Sequence, residues 1–177
     1  MAPDCAATMR ADAAAYAGEL TALHDWIGAS IASIPEDQRV LVTAHDAFAY
    51  YGRAYGIDVQ GIQGISTEAE AGIADIRAVV DRVVELGVPA VFVESTINPR
   101  TIQAVVDGAA ARGHAVTIGG ELYSDAMGAP GTPAGTYIGM MRANTLTITE
   151  ALGGEPAPWP AELMDWAERW SLELAAE

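Results

Sequence analysis

The sequence is poor in cysteine and in positive charge. Its 177 residues contain one cysteine, Cys5, and only nine basic residues, all arginine, so that 24 acidic residues leave a formal net charge of −15. A single cysteine excludes an intrachain disulfide and a cysteine-based zinc cluster. Because no basic stripe is present, we do not expect nucleic acid as a partner. The acidity itself favours cations, but it is more often a trait of solubility or habitat.

Long apolar segments and familiar catalytic motifs are also absent. No apolar run approaches the roughly 20 residues of a membrane-spanning helix, and residues 1–5 lack the charged and apolar regions of a signal peptide. The sequence contains no P-loop, no Gly-x-Gly-x-x-Gly fingerprint and no Gly-x-Ser-x-Gly elbow. Hydrophobic residues nevertheless make up 51% of the chain, which is typical of a folded domain with its own core.

What is present is an alternation of apolar strand and helix patterns. A long helix at residues 4–34 ends before Pro35, and its alanine-rich half, Ala6–Ala17, is expected to project or to pack on something outside this chain. Crossovers of the length that βαβ units need predict a parallel sheet with helices on both faces. The strands are expected at residues 39–44, 57–62, 89–93 and 114–118, with helices at 46–55, 67–87, 98–113 and 136–152.

The predicted fold is therefore α/β: a four-stranded parallel sheet with helices on both faces, a long N-terminal helix before it and an extra C-terminal helix after it. We divide the chain into the long helix at residues 1–35, an α/β lobe at 36–154, and a proline-rich linker with an amphipathic helix at 155–177. Thr67 and Glu70 are expected to form a capping box for the second crossover helix.

The strongest candidate for chemistry is His45, which follows the apolar strand Val40–Ala44 directly. In parallel α/β sheets, ligands bind at the carboxyl ends of the strands. The strand ends offer the following polar residues: His45 and Asp46; Gln63 and Ser66; Glu94 and Ser95; Glu121, Ser124 and Asp125. An imidazole with carboxylates suits zinc, manganese or iron(II).

Structural roles compete with this interpretation. His45 could instead cap the following helix or bond a backbone carbonyl, and Glu94 and Glu121 could serve structural roles such as bonding loop amides. We interpret His24, beside the apolar stripe of the long helix, as a surface or packing residue. His114 opens a strand at the opposite edge of the sheet, so we place it outside the site.

Several segments resemble the zinc/manganese-type, TroA-like solute-binding proteins of ABC transporters. The resemblance runs from about residue 3 to residue 154 and covers the linking helix and the C-terminal lobe of that family. It rests on the following stretches: Val42-Thr-Ala-His-Asp-Ala-Phe-Ala-Tyr-Tyr-Gly-Arg-Ala-Tyr-Gly56, Gln63–Gly72, Val91-Phe-Val-Glu-Ser95, Gly119-Gly-Glu-Leu-Tyr-Ser-Asp-Ala-Met-Gly128 and Gly135–Met140.

The resemblance implies a metal-binding role in metal ion transport and no enzymatic activity. In the family, two lobes joined by a long helix each give two ligands to one ion, and the motifs of the C-terminal lobe match His45 and Asp125 here. The resemblance implies Mn²⁺ or Zn²⁺, with Fe²⁺ compatible, an ABC permease as partner, and a periplasmic or extracellular, membrane-anchored location. Because no counterpart of the N-terminal lobe is found in this sequence, we expect half a metal site that binds weakly on its own.

Two alternatives from other classes remain. A metalloenzyme could use the same edge of the sheet with Glu94 as general base. A stand-alone module could associate with a second chain or with itself, so that two half-sites supply two histidines and two aspartates. For the C-terminal segment, with Trp159, Trp166 and Trp170, we weigh an extra packed helix against a cover for apolar surface left open by the absent lobe.

Overall fold

The computed structural model describes residues 5–65, 72–172 and 174. The helices and strands follow one another in this order: α1 (Ala6–Ala32), β1 (Val40–His45), α2 (Ala49–Tyr55), β2 (Asp58–Gln63), α3 (Ile73–Leu86), β3 (Ala90–Glu94), α4 (Arg100–Ala110), β4 (Thr117–Leu122), α5 (Tyr137–Ala151) and α6 (Met164–Arg169). Short 3₁₀ turns lie at Glu36–Gln38, Pro133–Gly135 and Ala161–Leu163. The predicted α/β alternation is confirmed.

The four strands form two parallel pairs rather than one continuous ladder. β1 pairs with β2, and β3 pairs with β4. β1 and β3 lie against each other, so that the strands stand in the order β2, β1, β3, β4. At the end of β1 the backbone N–H of His45 donates to the side-chain carboxylate of Glu94, 2.9 Å away, and not to a carbonyl of β3. This side-chain link replaces a backbone bond where the two pairs meet.

Helices cover both faces of the strands, as predicted. Alternate residues of β1 point to opposite sides: Leu41 packs in the core with α1 and α5, whereas Val42 packs in the core with α3 and α4. β3 repeats the pattern, with Phe92 on the α1 side and Val91 on the α3 side. The carboxyl ends of the strands are left free at one edge.

Several element boundaries differ from the sequence-based expectation. α2 begins at Ala49, not at residue 46, because Ala47 donates back to the carbonyl of His45 and forms a turn there. β4 begins three residues later than expected, since His114 lies in the turn that closes α4: its N–H donates to the carbonyl of Ala109. Gly113, with φ at 80°, permits that turn.

The start of α3 can be compared with the prediction only in part. Thr67 and Glu70 lie outside the described residues. Among those described, the carboxylate of Asp75 accepts a hydrogen bond from the N–H of Gly72, 3.0 Å away, and caps the first turn.

The long helix α1 is buried in its second half alone. Leu23, Trp26, Ile27 and Ile31 lie in the core, whereas residues 7–18 are exposed throughout. The projection of the alanine-rich half is thereby confirmed. None of the helices in the described part of the chain is both long and apolar enough to cross a membrane.

Residues 155–172, which we call the C-terminal strap, run along the buried half of α1. The expected amphipathic helix is shorter than predicted: a 3₁₀ turn leads into α6, which ends at Arg169. Leu163 and Trp166 are buried. The backbone of the strap is tied to α1 by two serine hydroxyls, since Ser33 Oγ accepts from Glu155 N and Ser30 Oγ accepts from Ala157 N, at 2.9 and 3.0 Å.

Candidate metal centre

His45 and Asp125 come together at the carboxyl edge of the strands. His45 is the last residue of β1, and Asp125 follows the end of β4 by three residues. The His45 Nε2 atom lies 3.2 Å from Oδ2 of Asp125. Two ligand atoms each about 2.1 Å from one tetrahedral ion would be about 3.4 Å apart, so this separation suits a shared metal ion. It also suits a direct hydrogen bond or ion pair between the two side chains.

The two residues differ sharply in exposure. The imidazole of His45 is 2% exposed, whereas the side chain of Asp125 is 59% exposed. The His45 ring is therefore held in the core, with its Nε2 atom directed towards the carboxyl edge of the strands. The Asp125 side chain lies between that atom and the solvent. A cation arriving from solvent would meet the carboxylate first and the ring nitrogen behind it.

Glu94 lies on the other side of the imidazole. Its Oε2 atom is 2.6 Å from Nδ1 of His45, and its side chain is completely buried. Neither of these two atoms has a hydrogen-bond partner elsewhere in the described residues. The expectation that Glu94 bonds loop amides is met in part, because Oε1 accepts from the backbone N–H of His45. The ring of His45 thus lies between two carboxylates, one buried and one exposed.

Asn144 holds the loop that carries Asp125, and the sequence analysis did not identify it. This buried residue of α5 accepts a hydrogen bond from the N–H of Tyr123 at 2.9 Å and donates one to its carbonyl at 2.7 Å. Both polar groups of one backbone unit are thereby satisfied by one amide, which fixes the chain where it leaves β4. An asparagine in the middle of a helix is the only signal that could have pointed to it, because such a residue is unfavourable there without a partner.

Hydroxyl and backbone contacts tie the neighbouring strand ends together. Thr96 Oγ1 and Ser124 Oγ are 3.3 Å apart, and Ser95 N–H donates to the carbonyl of Leu122 at 3.0 Å. On the other side, the N–H of Asp46 donates to the carbonyl of Gln63 at 3.1 Å. The first two links join the end of β3 to the end of β4 and the loop of Asp125, and the third joins the ends of β1 and β2.

The remaining candidates do not join His45. Glu121 is exposed on β4, and Ser66 lies outside the described residues. His24 is exposed, with its Nδ1 atom 3.1 Å from the hydroxyl of Tyr55, and His114 contacts the carbonyl of Val88 through Nε2. Across residues 5–65, 72–172 and 174, no group of three or more His, Cys, Asp or Glu side chains is arranged to hold a metal ion.

Comparison with known proteins identifies the relatives of this fold. A family model described as ZnuA, the periplasmic component A of a zinc-uptake complex, matches residues 1–151. The chain belongs to this family. Residues 152–177, including the whole C-terminal strap, lie beyond the match.

Individual relatives are similar over the same region. The chain is 53% identical over 150 residues to the manganese-binding lipoprotein MntA of Bacillus subtilis, a match covering 85% of this chain and 49% of the relative. It is 32% identical over 151 residues to the iron-binding protein YfeA of Yersinia pestis, covering 85% and 47%. The solved structure of the periplasmic zinc-binding protein TroA of Treponema pallidum superposes with a TM-score of 0.82 at 44% identity, covering 85% of this chain and 54% of that one.

These comparisons confirm the resemblance inferred from the motifs and its extent. Relatives of this chain bind manganese, zinc or iron by name, and some are lipoproteins. The chain spans about half the length of the curated relatives it matches.

Proposed function

We propose that this chain provides the C-terminal half of a divalent-metal site in a solute-binding protein of an ABC transporter, with His45 and Asp125 as its two ligands. The observation that carries the proposal is the 3.2 Å approach of His45 Nε2 to Asp125 Oδ2 at the carboxyl edge of the strands. Ligands of α/β folds bind at this edge. Family membership supports the same role, since the matching family model describes a metal-uptake component.

The cargo is Mn²⁺ or Zn²⁺, and Fe²⁺ is compatible with the same donors. One imidazole nitrogen and one carboxylate oxygen suit all three ions, and selection among them depends on the remaining ligands and on geometry. Because no third ligand stands beside His45 and Asp125 within the described residues, water must complete the coordination shell of an ion held by this chain alone. Such binding is weak.

The proposal gives each part of the chain a role. Residues 1–35 would contain the helix that joins two lobes, and residues 36–154 would be the metal-binding lobe. Residues 155–177 would be an added segment, of which the described part covers α1. The exposed first half of α1, residues 7–18, would then pack against a lobe that supplies the missing ligands. The protein works outside the cytoplasmic membrane with a cognate permease, as the lipoprotein relatives suggest.

Catalysis is the less favoured function. The metalloenzyme hypothesis needs a general base that faces the metal. Glu94, its candidate base, lies on the far side of the imidazole from Asp125 and directs both oxygens at His45.

Self-association is the second candidate, and the exposure of α1 favours it. Met9 is 55% exposed and Tyr16 is 45% exposed on the projecting half of that helix. Two copies packed through this half could bring two histidines and two aspartates to one ion. Sedimentation of wild type and His45→Ala, with and without Zn²⁺, tests this arrangement: a metal-dependent dimer lost in the variant supports it, and a monomer under all four conditions contradicts it.

Calorimetric titration with Mn²⁺ and Zn²⁺ tests the proposed ligands. Wild type should bind one ion weakly but saturably, and His45→Ala and Asp125→Ala should each abolish saturable binding. His24→Ala and Asp37→Ala are matched controls, because both side chains are exposed and remote from the carboxyl edge; they should bind as wild type does. Unchanged binding in His45→Ala, or no saturable binding by wild type, would overturn the proposal.

A further inference from the structure

Within the described part of the chain, the buried carboxylate of Glu94 contacts the polar groups of one residue, His45. Its Oε1 atom accepts from the backbone N–H of His45 at 2.9 Å, and its Oε2 atom lies 2.6 Å from Nδ1 of the same residue. The Glu94 side chain has no exposed surface, and the His45 side chain is 2% exposed. A buried carboxylate is costly unless it is paired and hydrogen-bonded. Here both pairings come from His45.

The short Nδ1–Oε2 distance determines which ring nitrogen carries the proton. An ionised carboxylate oxygen only accepts hydrogen bonds, and a bare ring nitrogen only accepts them as well. When Glu94 is ionised, two acceptors would repel each other at this distance, so the hydrogen between them lies on Nδ1. The Nε2 atom also faces a carboxylate, that of Asp125 at 3.2 Å, but this side chain is 59% exposed and water can satisfy it, whereas the buried Oε2 atom of Glu94 has no other partner in the described residues. The single proton of a neutral ring therefore lies on Nδ1, and Nε2 holds the lone pair.

We infer that Glu94 is a positioning residue that holds His45 in the Nδ1–H tautomer, so that the Nε2 lone pair is directed at the proposed metal position before any ion arrives. The inference rests on the proposed function, because it assigns Nε2 as the donor to the cation. A carboxylate on the far nitrogen of a metal-binding histidine fixes ring orientation and raises the basicity of the ligand nitrogen, and its loss typically costs 10–100-fold in metal affinity.

A purely structural role for Glu94 makes a different prediction. The carboxylate also joins β1 to β3, where no backbone bond joins His45 to β3. If that were its only role, replacing it would lower stability without changing the tautomer of the ring. Glu94→Gln separates the two roles. The amide oxygen of glutamine can accept from the N–H of His45, while its amide nitrogen then faces Nδ1 and donates to it. The ring proton should therefore move to Nε2, which blocks the donor atom.

The tautomer can be read without metal. Long-range ¹H–¹⁵N correlation spectra of the metal-free protein, at a pH where the ring is neutral, distinguish a protonated ring nitrogen from a bare one. Wild type should show a protonated Nδ1 and a bare Nε2 for His45, and Glu94→Gln should show the reverse. A wild-type ring protonated at Nε2 overturns the inference, and this measurement stands even if the variant does not fold.

The metal affinity is the second measurement. Glu94→Gln should bind Zn²⁺ and Mn²⁺ about 10–100-fold more weakly than wild type. Glu121→Gln makes the same charge change on an exposed residue of neighbouring β4 and should bind as wild type does. A folded Glu94→Gln protein that keeps the wild-type tautomer, or that switches tautomer without losing affinity, contradicts the positioning role. Unchanged binding in His45→Ala would instead contradict the proposed ligands, so the two failures can be told apart.

Discussion

Trp26 of α1 and Trp159 of the C-terminal strap meet edge to face, with ring centroids 4.8 Å apart and planes inclined by 76°. The indole N–H of Trp26 also donates to the carbonyl of Ala157 in the strap at 2.8 Å. On its other side, the Trp159 ring approaches Trp166, at 5.8 Å, and the guanidinium of Arg142, at 5.3 Å. One side chain of the strap thus contacts α1, α5 and α6.

Replacing Trp159 by alanine should destabilise the protein by about 2–3 kcal/mol. Truncating a fully buried tryptophan to alanine typically costs about 3–5 kcal/mol, and Trp159 is half-buried. Its aromatic contacts add about 0.5–1.5 kcal/mol each beyond the buried area. Urea unfolding followed by tryptophan fluorescence and by circular dichroism measures the loss.

Met164→Ala is the control for this change, since Met164 lies in the same segment but is 38% exposed. It should cost well under 1 kcal/mol. Equal losses for the two variants would show that the strap does not depend on the Trp159 contacts.

Removing residues 155–177 should cause aggregation or dimerisation. The deletion takes away the groups that cover the strap-facing side of Trp26, including the partner of its indole N–H. Newly exposed apolar area of this kind drives association between molecules. Sedimentation velocity at several concentrations measures the outcome, and a stable monomeric truncation would refute this role for the strap.

The features that could be predicted from the sequence are those determined by residues close together in the chain. Apolar runs marked four strands, and the turn after Ala44 placed His45 at a strand end. These features depend on residues that are near one another in the chain, which is why sequence patterns carry them. Asp125 was singled out as the second candidate by the resemblance to the family.

What escaped prediction depends on contacts between distant residues. The pairing of Glu94 with His45 spans 49 positions, and the Asn144–Tyr123 bonds span 21. Nothing local distinguishes Glu94 from any other acidic residue at a strand end, and the resemblance to the family assigned it no role. The separation of the strands into the pairs β1–β2 and β3–β4 was not predicted either. It occurs where the Glu94 carboxylate bonds to His45, which is again a contact between distant residues.

Gly61→Ala should disturb the backbone of His45. Gly61 lies opposite Thr43 in the β1–β2 pair. A Cβ atom there would lie 2.7 Å from the N of Asp46 and 2.9 Å from the carbonyl carbon of His45. Backbone atoms cannot yield as a flexible side chain can, so we expect a loss of about 1–3 kcal/mol in stability together with weaker Zn²⁺ binding. Thermal unfolding and calorimetric titration of the same sample measure both effects.

Gly64→Ala is the matched control for Gly61→Ala. It lies three residues further along, just after β2, and an added Cβ would meet nothing within 4 Å. Its stability and its affinity for Zn²⁺ should equal those of wild type. If Gly61→Ala matched it in both respects, the close approach of β2 to the end of β1 would not be what sets the position of His45.

The folded protein should lose stability above about pH 10 through Tyr51. Burial raises the pKa of the Tyr51 hydroxyl far above its ordinary value of about 10, although the hydrogen bond with Thr145, at 3.0 Å, lowers it in part and Tyr55 adds to the rise. The folded state therefore holds this proton more tightly than the unfolded state does. The corresponding stability is complete below about pH 10 and is lost progressively as the pH rises from there towards the raised pKa.

Tyr51→Phe should lower the free energy of unfolding near neutral pH and should make it decrease less steeply at alkaline pH. The variant loses one hydrogen bond, so its free energy of unfolding near pH 7 should be lower by about 1 kcal/mol. Between pH 10 and pH 11.5 its stability should fall less steeply than that of wild type. Tyr55 contributes in both proteins, because burial also raises its pKa. Urea unfolding at several pH values gives both profiles, with Tyr50→Phe as control since Tyr50 is 79% exposed. Parallel profiles for wild type and Tyr51→Phe would show that Tyr51 does not cause the alkaline loss.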